Sequence, residues 1–214
     1  MNRRASRHDL AAGFTLIELL IVIAILGVLA AVLVPQLTTA NHAASRTATE
    51  ADMQSLANGL ATFERAHGVM PTDDLTSNVA DYKATWKTDN GRNTGIESLV
   101  CFLSQSSRDG LDLEAMVDQM TNCDGDEHGI EIPRLKTKER KEVADHWKTP
   151  LCYFAKFGLQ KAQMVQLAPD SDAVQVKSRR RPDGRPYGDG KYQLLSAGQD
   201  MTFGTDDDLY WPKN

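Results

Sequence analysis

The chain has 214 residues and a net charge of −5. That length holds one modest globular domain beside a membrane anchor, and the acidic balance argues against general nucleic-acid binding, which needs a basic footprint. Three cysteines, Cys101, Cys123 and Cys152, allow at most one disulfide and match no zinc spacing; Cys101 and Cys152 lie in apolar runs and read as buried thiols, with one disulfide left open.

The chain begins with a short basic head, Arg3, Arg4, Arg7 and His8, which the positive-inside rule keeps in the cytoplasm. From Gly13 to Pro35 the sequence is apolar apart from Glu18, and it lacks the polar face of an amphipathic helix. About twenty such residues cross a bilayer as a helix. In a secretory signal peptide the small-residue cleavage site follows the apolar run. Here Ala11, Ala12 and Gly13 precede it, so a cut at Gly13–Phe14 removes the basic head and leaves the helix on the mature chain. A carboxylate within a membrane span costs about 2.5–3.5 kcal/mol on insertion scales, so Glu18 calls for a partner; its alternative is a position near enough to the helix end to reach headgroups.

The stretch G-F-T-L-I-E followed by the apolar run to Pro35 resembles the type IV prepilin signal, found in pilins and in the pseudopilins of type II secretion systems. The resemblance implies peptidase cleavage between Gly13 and Phe14 and methylation of the new Phe14 amino group. It also implies that Glu18 pairs with the Phe14 amine of a neighbouring subunit as the helices pack into a filament.

Beyond Pro35, an alanine-rich stretch carries Met53, Leu56, Leu60 and Phe63 at intervals of three and four, one face of a continuing helix. Pro35 is expected to kink this helix or loosen it near Gly27, and Gly68 and Pro71 to end it. A polar, turn-rich stretch to Thr94 precedes G-I-E-S-L-V-C-F-L-S, Gly95 to Ser104, which reads as a short buried helix. G-V-M-P-T followed by G-I-E-S-L-V is similar to the segment after the long helix in major pseudopilins, with a longer insertion, 73–94, in this chain. Gly110 to Met120 reads as another short helix. T-N-C-D-G-D-E places Asn122, Asp124 and Asp126 at alternating positions but lacks the closing glutamate of a calcium loop, and reads as a polar turn. The alternating charges from Lys136 to Glu142 read as a solvated face.

D-H-W-K-T-P-L-C-Y-F, Asp145 to Phe154, resembles the D-P-W-G-N-P segment that leads into the first strand of the pseudopilin sheet, with His146 for the proline and Lys148 for the glycine. Met164–Leu167 and Ala173–Val176 are candidates for a second strand. The basic loop Lys177 to Arg185 is either a contact with an acidic neighbouring subunit or a solvated hairpin, and Tyr192–Ser196 is the last clear strand.

Four aspartates, Asp200, Asp206, Asp207 and Asp208, crowd the C-terminal stretch beside Gly198 and Gly204. Such charges repel unless a cation compensates them, and calcium takes several carboxylate and carbonyl oxygens in flexible geometry. The stretch resembles the calcium loop that closes the domain of major pseudopilins. Carried over by position, Asp200, Asp206, Asp208 and the carbonyl of Ala197 hold calcium, with Asp207 as the alternative to Asp206 or Asp208. No nucleophile, phosphate-loop or metal-enzyme motif is present, which leaves an enzymatic reading without support.

The expected architecture is α+β and pilin-like: a long N-terminal helix packed on a small antiparallel sheet, with a C-terminal calcium loop. The expected divisions are a leader at 1–13, a membrane and assembly helix at 14–35, and a periplasmic domain at 36–214. By resemblance the chain is a structural subunit of a type II secretion pseudopilus anchored by one span in the inner membrane. Its implied partners are copies of itself, other pseudopilins, the prepilin peptidase and the inner-membrane assembly platform. The alternative is a type IV pilus subunit or minor pilin serving adhesion or DNA uptake, with the insertions 73–94 and 105–144 free to make contacts.

Overall fold

The computed structural model describes residues 15–75, 89–105, 108–188 and 190–213. The long helix is present as α1, Leu16–His67, and continues through Pro35. The chain forms two compact units, one up to Ala43 and one from Ala44 onward. In the first, every side chain from Thr15 to Val34 is exposed. Leaving a leucine, isoleucine or valine in water rather than burying it forgoes about 1.5–3 kcal/mol each. A stripe of such residues on all sides of a helix therefore needs a bilayer or other helices around it.

In the second unit, Met53, Leu56, Leu60 and Phe63 of α1 are all buried, as their spacing predicts. Gly68, at φ +73, ends the helix and donates its N–H to the Glu64 carbonyl, the left-handed stop that glycine permits. The short buried helix follows as α2, Thr94–Leu103, with Ile96, Leu99, Val100, Phe102 and Leu103 against the α1 face. The stretch after Gly110 is helical for one turn only, α3 at Leu113–Met116, and continues as a 3₁₀ turn, Val117–Gln119.

Among the described residues nine short strands follow, all paired antiparallel. β1 (Met120–Thr121) pairs with β4 (Glu142–Val143), and β2 (Glu127–Ile132) with β3 (Thr137–Glu139). β5 (Cys152–Ala155), β8 (Tyr192–Ser196) and β9 (Leu209–Trp211) form a three-stranded sheet in the order β5-β8-β9. β6 (Ala162–Gln166) and β7 (Ala173–Lys177) make a separate hairpin. Tyr153 and Ala155 of β5 join the core with α1 and α2, whereas Cys152 and Phe154 face a second cluster with Leu159, Val165 and Val176. A strand buried on both faces reads as an unbroken apolar run, which is what L-C-Y-F shows. The architecture is α+β and pilin-like: a long helix packed on small antiparallel sheets.

Three expectations are corrected. Tyr192–Ser196 is not the final strand, because Leu209–Trp211 adds β9 to its edge. The two candidate stretches at Met164 and Ala173 form two strands rather than one. The charge run Lys136 to Glu142 is a solvated face only in part: Lys136, Lys138 and Glu139 are exposed, but Arg140, whose guanidinium meets Asp89, Glu97 and Asp126, and Glu142 are fully buried. All three cysteines are free and buried. Burial pushes the Cys123 thiol up to about 11, and the other two are raised by the same cause.

The turn before β5 explains two departures from the pseudopilin-like pattern. His146 donates its backbone N–H to Thr49 Oγ1 at 3.1 Å, a bond proline cannot make, and its Nε2 lies 3.0 Å from Asp52 Oδ2 on α1. Asp145 holds the turn by accepting from the N–H groups of Trp147 and Thr149, and Ser196 Oγ donates to its other oxygen at 2.6 Å. Lys148 stands at φ +70, in the region that favours glycine. Lys148→Gly is expected to raise stability by roughly 1 kcal/mol by relieving that conformation, and a melting curve of the solubilised chain reads it as a rise of about 2–4 °C. An unchanged or lowered midpoint counts against strain at this turn.

Candidate functional site

The cleavage and methylation residues, Gly13 and Phe14, lie outside the described residues. Immediately after them, Thr15 and Glu18 cap α1 reciprocally. Glu18 Oε2 accepts from the Thr15 N–H at 2.8 Å and from Thr15 Oγ1 at 2.7 Å, and the Glu18 N–H donates to Thr15 Oγ1 at 3.3 Å. This is the capping box that T-x-x-E encodes, which satisfies donors otherwise orphaned at a helix start. Sequence reading assigned Glu18 to a neighbour and missed this local role, although the spacing of Thr15 and Glu18 carries it. Among the described residues, both hydrogen bonds fall on Oε2, so Oε1 is the oxygen left to face a partner.

At the other end, the chain leaves β8 at Ser196 and returns as β9 at Leu209, so the acidic stretch is the connection between two paired strands. Ala197 is fully buried. Gly198 stands at φ +68, where a Cβ would fall 2.6 Å from the Asp207 carbonyl oxygen, so the loop closes only over glycine. Asp207 is drawn to Asp200: its Oδ2 accepts the Asp200 N–H at 3.0 Å, and its Oδ1 accepts from Thr205 Oγ1 at 2.6 Å. The Thr205 hydroxyl holds the Asp207 carboxyl below the usual range. Asp200 Oδ1 in turn accepts the Thr202 N–H at 2.8 Å.

Asp208 turns inward. Its Oδ2 accepts the Gly204 N–H at 2.9 Å and lies 3.3 Å from Arg179 Nη1, while its Oδ1 is buried with no hydrogen-bond partner among the described residues. Burial raises the Asp208 carboxyl despite those partners. Asp206 is exposed. Of the four aspartates, the loop therefore brings Asp200 and Asp207 together, buries Asp208 against Arg179, and leaves Asp206 in solvent. The basic loop thus turns onto its own chain: Arg179 reaches Asp208, and Arg180 donates to the Leu159 carbonyl and to Gln160 Oε1.

Residues 10–34 match the model of the prokaryotic N-terminal methylation motif. That motif indicates a type IV pilin-like protein, a structural class whose members are processed by prepilin peptidase and assemble into filaments. The match runs into the start of α1, which among the described residues is the one helix long and apolar enough to cross a membrane. No curated protein and no solved structure matches the chain.

Proposed function

We propose that the chain is a structural subunit of a type II secretion pseudopilus, polymerising through α1 and supporting protein export, with its globular unit in the periplasm. The observation that carries this reading is the methylation motif running straight into an apolar helix exposed on all sides, with Glu18 as its one charge. In a filament, neighbouring helices cover that surface, and Glu18 Oε1 meets the methylated amine of the next Phe14. Copies of the chain, other pseudopilins, the prepilin peptidase and the inner-membrane assembly platform are its partners.

Support for secretion over a pilus comes from the C-terminal loop, which we assign to calcium. The donor set suits a hard cation because it consists of oxygens only. Asp208 Oδ1, a buried acceptor lacking a donor among the described residues, is the observation that favours a bound ion. Asp200, Asp206, Asp208 and the Ala197 carbonyl would hold it, with Asp207 as the substitute because it already touches Asp200. Bound there, calcium would screen the aspartates from one another and tie β8 to β9. A type IV pilus subunit or minor pilin is the second reading, and stoichiometry separates them, since a major subunit is abundant and polymerises alone.

Processing tests the whole proposal. Mass spectrometry of the membrane-borne chain is expected to find Phe14 as the mature N-terminus, carrying one methyl group. Gly13→Val is expected to keep the leader attached and to abolish filaments. An intact Met1 in the unmutated chain, or a cut beyond the apolar run, sinks the pilin-like reading.

A further inference from the structure

The T-N-C-D-G-D-E turn lacks a closing glutamate in sequence, and the fold supplies two. Glu97 enters from α2 and Glu142 from β4, and one carboxylate oxygen from each lies within 4.8 Å of an oxygen of Asp124. Glu97 also belongs to a second set with Asp89 and Asp126, again within 4.8 Å. Arg140 serves this second set: Nη1 lies 3.2 Å from Asp89 Oδ1 and 3.8 Å from Glu97 Oε2, and Nε lies 3.4 Å from Asp126 Oδ2. Five carboxylates thus share an interior with one guanidinium.

Their hydrogen bonds are unequal. Glu142 accepts from Asn93 Nδ2 at 3.0 Å and from the Cys123 N–H at about the same distance. Asp124 accepts from Asn90 Nδ2 at 2.9 Å and, weakly, from the Asp126 N–H. Glu97 is 1% exposed, and neither of its oxygens has a hydrogen-bond donor among the described residues. It points into both sets at once. An ionised carboxylate buried in this way costs several kcal/mol unless it is compensated, and a single arginine shared with two other acids does not compensate it.

We propose that Glu97, Asp124 and Glu142 form a calcium site inside the globular unit, beside the set that Arg140 contacts. All three donors are carboxylates on separate elements, which suits a cation that takes many oxygens in irregular geometry. Zinc prefers nitrogen and sulfur ligands, and none lies in either set. Magnesium keeps several of its waters, and the buried Glu97 and Glu142 leave little space for them. A cleft lined by Asp124, Asp170 and Asp172, and by the guanidinium-bearing Arg92, opens beside Asp124. Burial, and then the neighbouring carboxylates, raise Glu97 and Asp126 above the usual range, which is the electrostatic cost of crowding these acids together. Burial likewise pushes Glu142 up to about 7. Binding there ties α2, the Asp124 turn and β4 together independently of the C-terminal loop.

Equilibrium dialysis of the full chain in detergent micelles against radioactive calcium tests this, with circular dichroism confirming that each variant is folded. Asp200→Ala combined with Asp207→Ala is expected to leave one bound ion, held in excess magnesium. Glu97→Gln with Asp124→Asn, added to that background, is expected to abolish it, a drop in affinity of at least a hundredfold. Glu97→Gln keeps the shape of the side chain and cannot carry the charge that burial penalises, so the cluster variant has no reason to unfold. If the folded loop variant binds no calcium, or the cluster variant binds as the parent does, the interior site is wrong. Calcium lost on mutating the loop alone supports the loop site and removes this one; calcium lost on mutating the cluster alone does the reverse.

Discussion

Glu18→Gln is expected to leave the chain in the membrane and to reduce filament yield by more than tenfold. The membrane result follows because the amide removes the insertion cost of the charge. The helix start is also preserved, because glutamine at this position completes the capping box with Thr15 as glutamate does. What disappears is the pairing of a carboxylate with the terminal amine of a neighbour. Removing one partner of a buried charged pair costs about 2–5 kcal/mol, and each 1.4 kcal/mol is tenfold in association. Glu18→Ala supplies the comparison, since it loses the cap as well, at about 0.5–2 kcal/mol. If capping were the whole role of Glu18, glutamine would assemble normally and only alanine would fail. Filament yield by electron microscopy, against chain recovered in the membrane fraction, distinguishes the two results.

The second large effect is on pH dependence. With calcium chelated, the globular unit is expected to lose stability as pH rises from 5 to 8, by about 1.4 kcal/mol per pH unit for each proton released on unfolding. The sign follows from Glu97, whose folded pKa lies above its unfolded value, chiefly through burial. Over that range the folded chain keeps the proton and the unfolded chain has lost it, so alkaline conditions favour unfolding. Glu142, pushed up to about 7, adds to the loss below that pH. Glu97→Gln, which has no proton to lose, is expected to reduce the slope by one proton and to be the more stable chain at pH 8. Saturating calcium is expected to flatten the slope in the parent chain only. Denaturant titrations at pH 5, 6, 7 and 8 measure these slopes. Equal slopes for parent and variant would mean that Glu97 is ionised in the folded chain.

The two halves of the chain differ in how much of them can be read without a structure. The apolar run, its single glutamate and the glycine before it form one continuous local signal, and the buried face Met53, Leu56, Leu60 and Phe63 repeats with the period of the helix that carries it. The strand at Cys152–Ala155 was legible for the same reason, since both faces are buried and its residues are apolar in a row. The strand at Leu209–Trp211 was not, because three residues beside a run of aspartates gain their strand character only from the partner β8. In the acidic loop, composition pointed to the aspartates as a group. Which of them face one another depends on the reversal over Gly198 and on Arg179 arriving from the β7 side.

By itself the sequence determined the anchor, its processing signal, the long helix and the apolar faces, because each rests on neighbours a few positions apart. Only the tertiary structure decided the fate of Arg140, Glu142 and Glu97. Lys136 to Glu142 has the alternating charges of a solvated strand, and nothing local to it indicates burial. Glu97 lies in a mostly apolar helix, where its one charged residue reads as the exposed edge. They become one buried cluster because β4 pairs with β1 and brings Glu142 to the Cys123 N–H, while α2 packs its glutamate toward the same turn. Burial then makes their charges expensive, and that cost, which no stretch of sequence carries alone, is what calls for a cation.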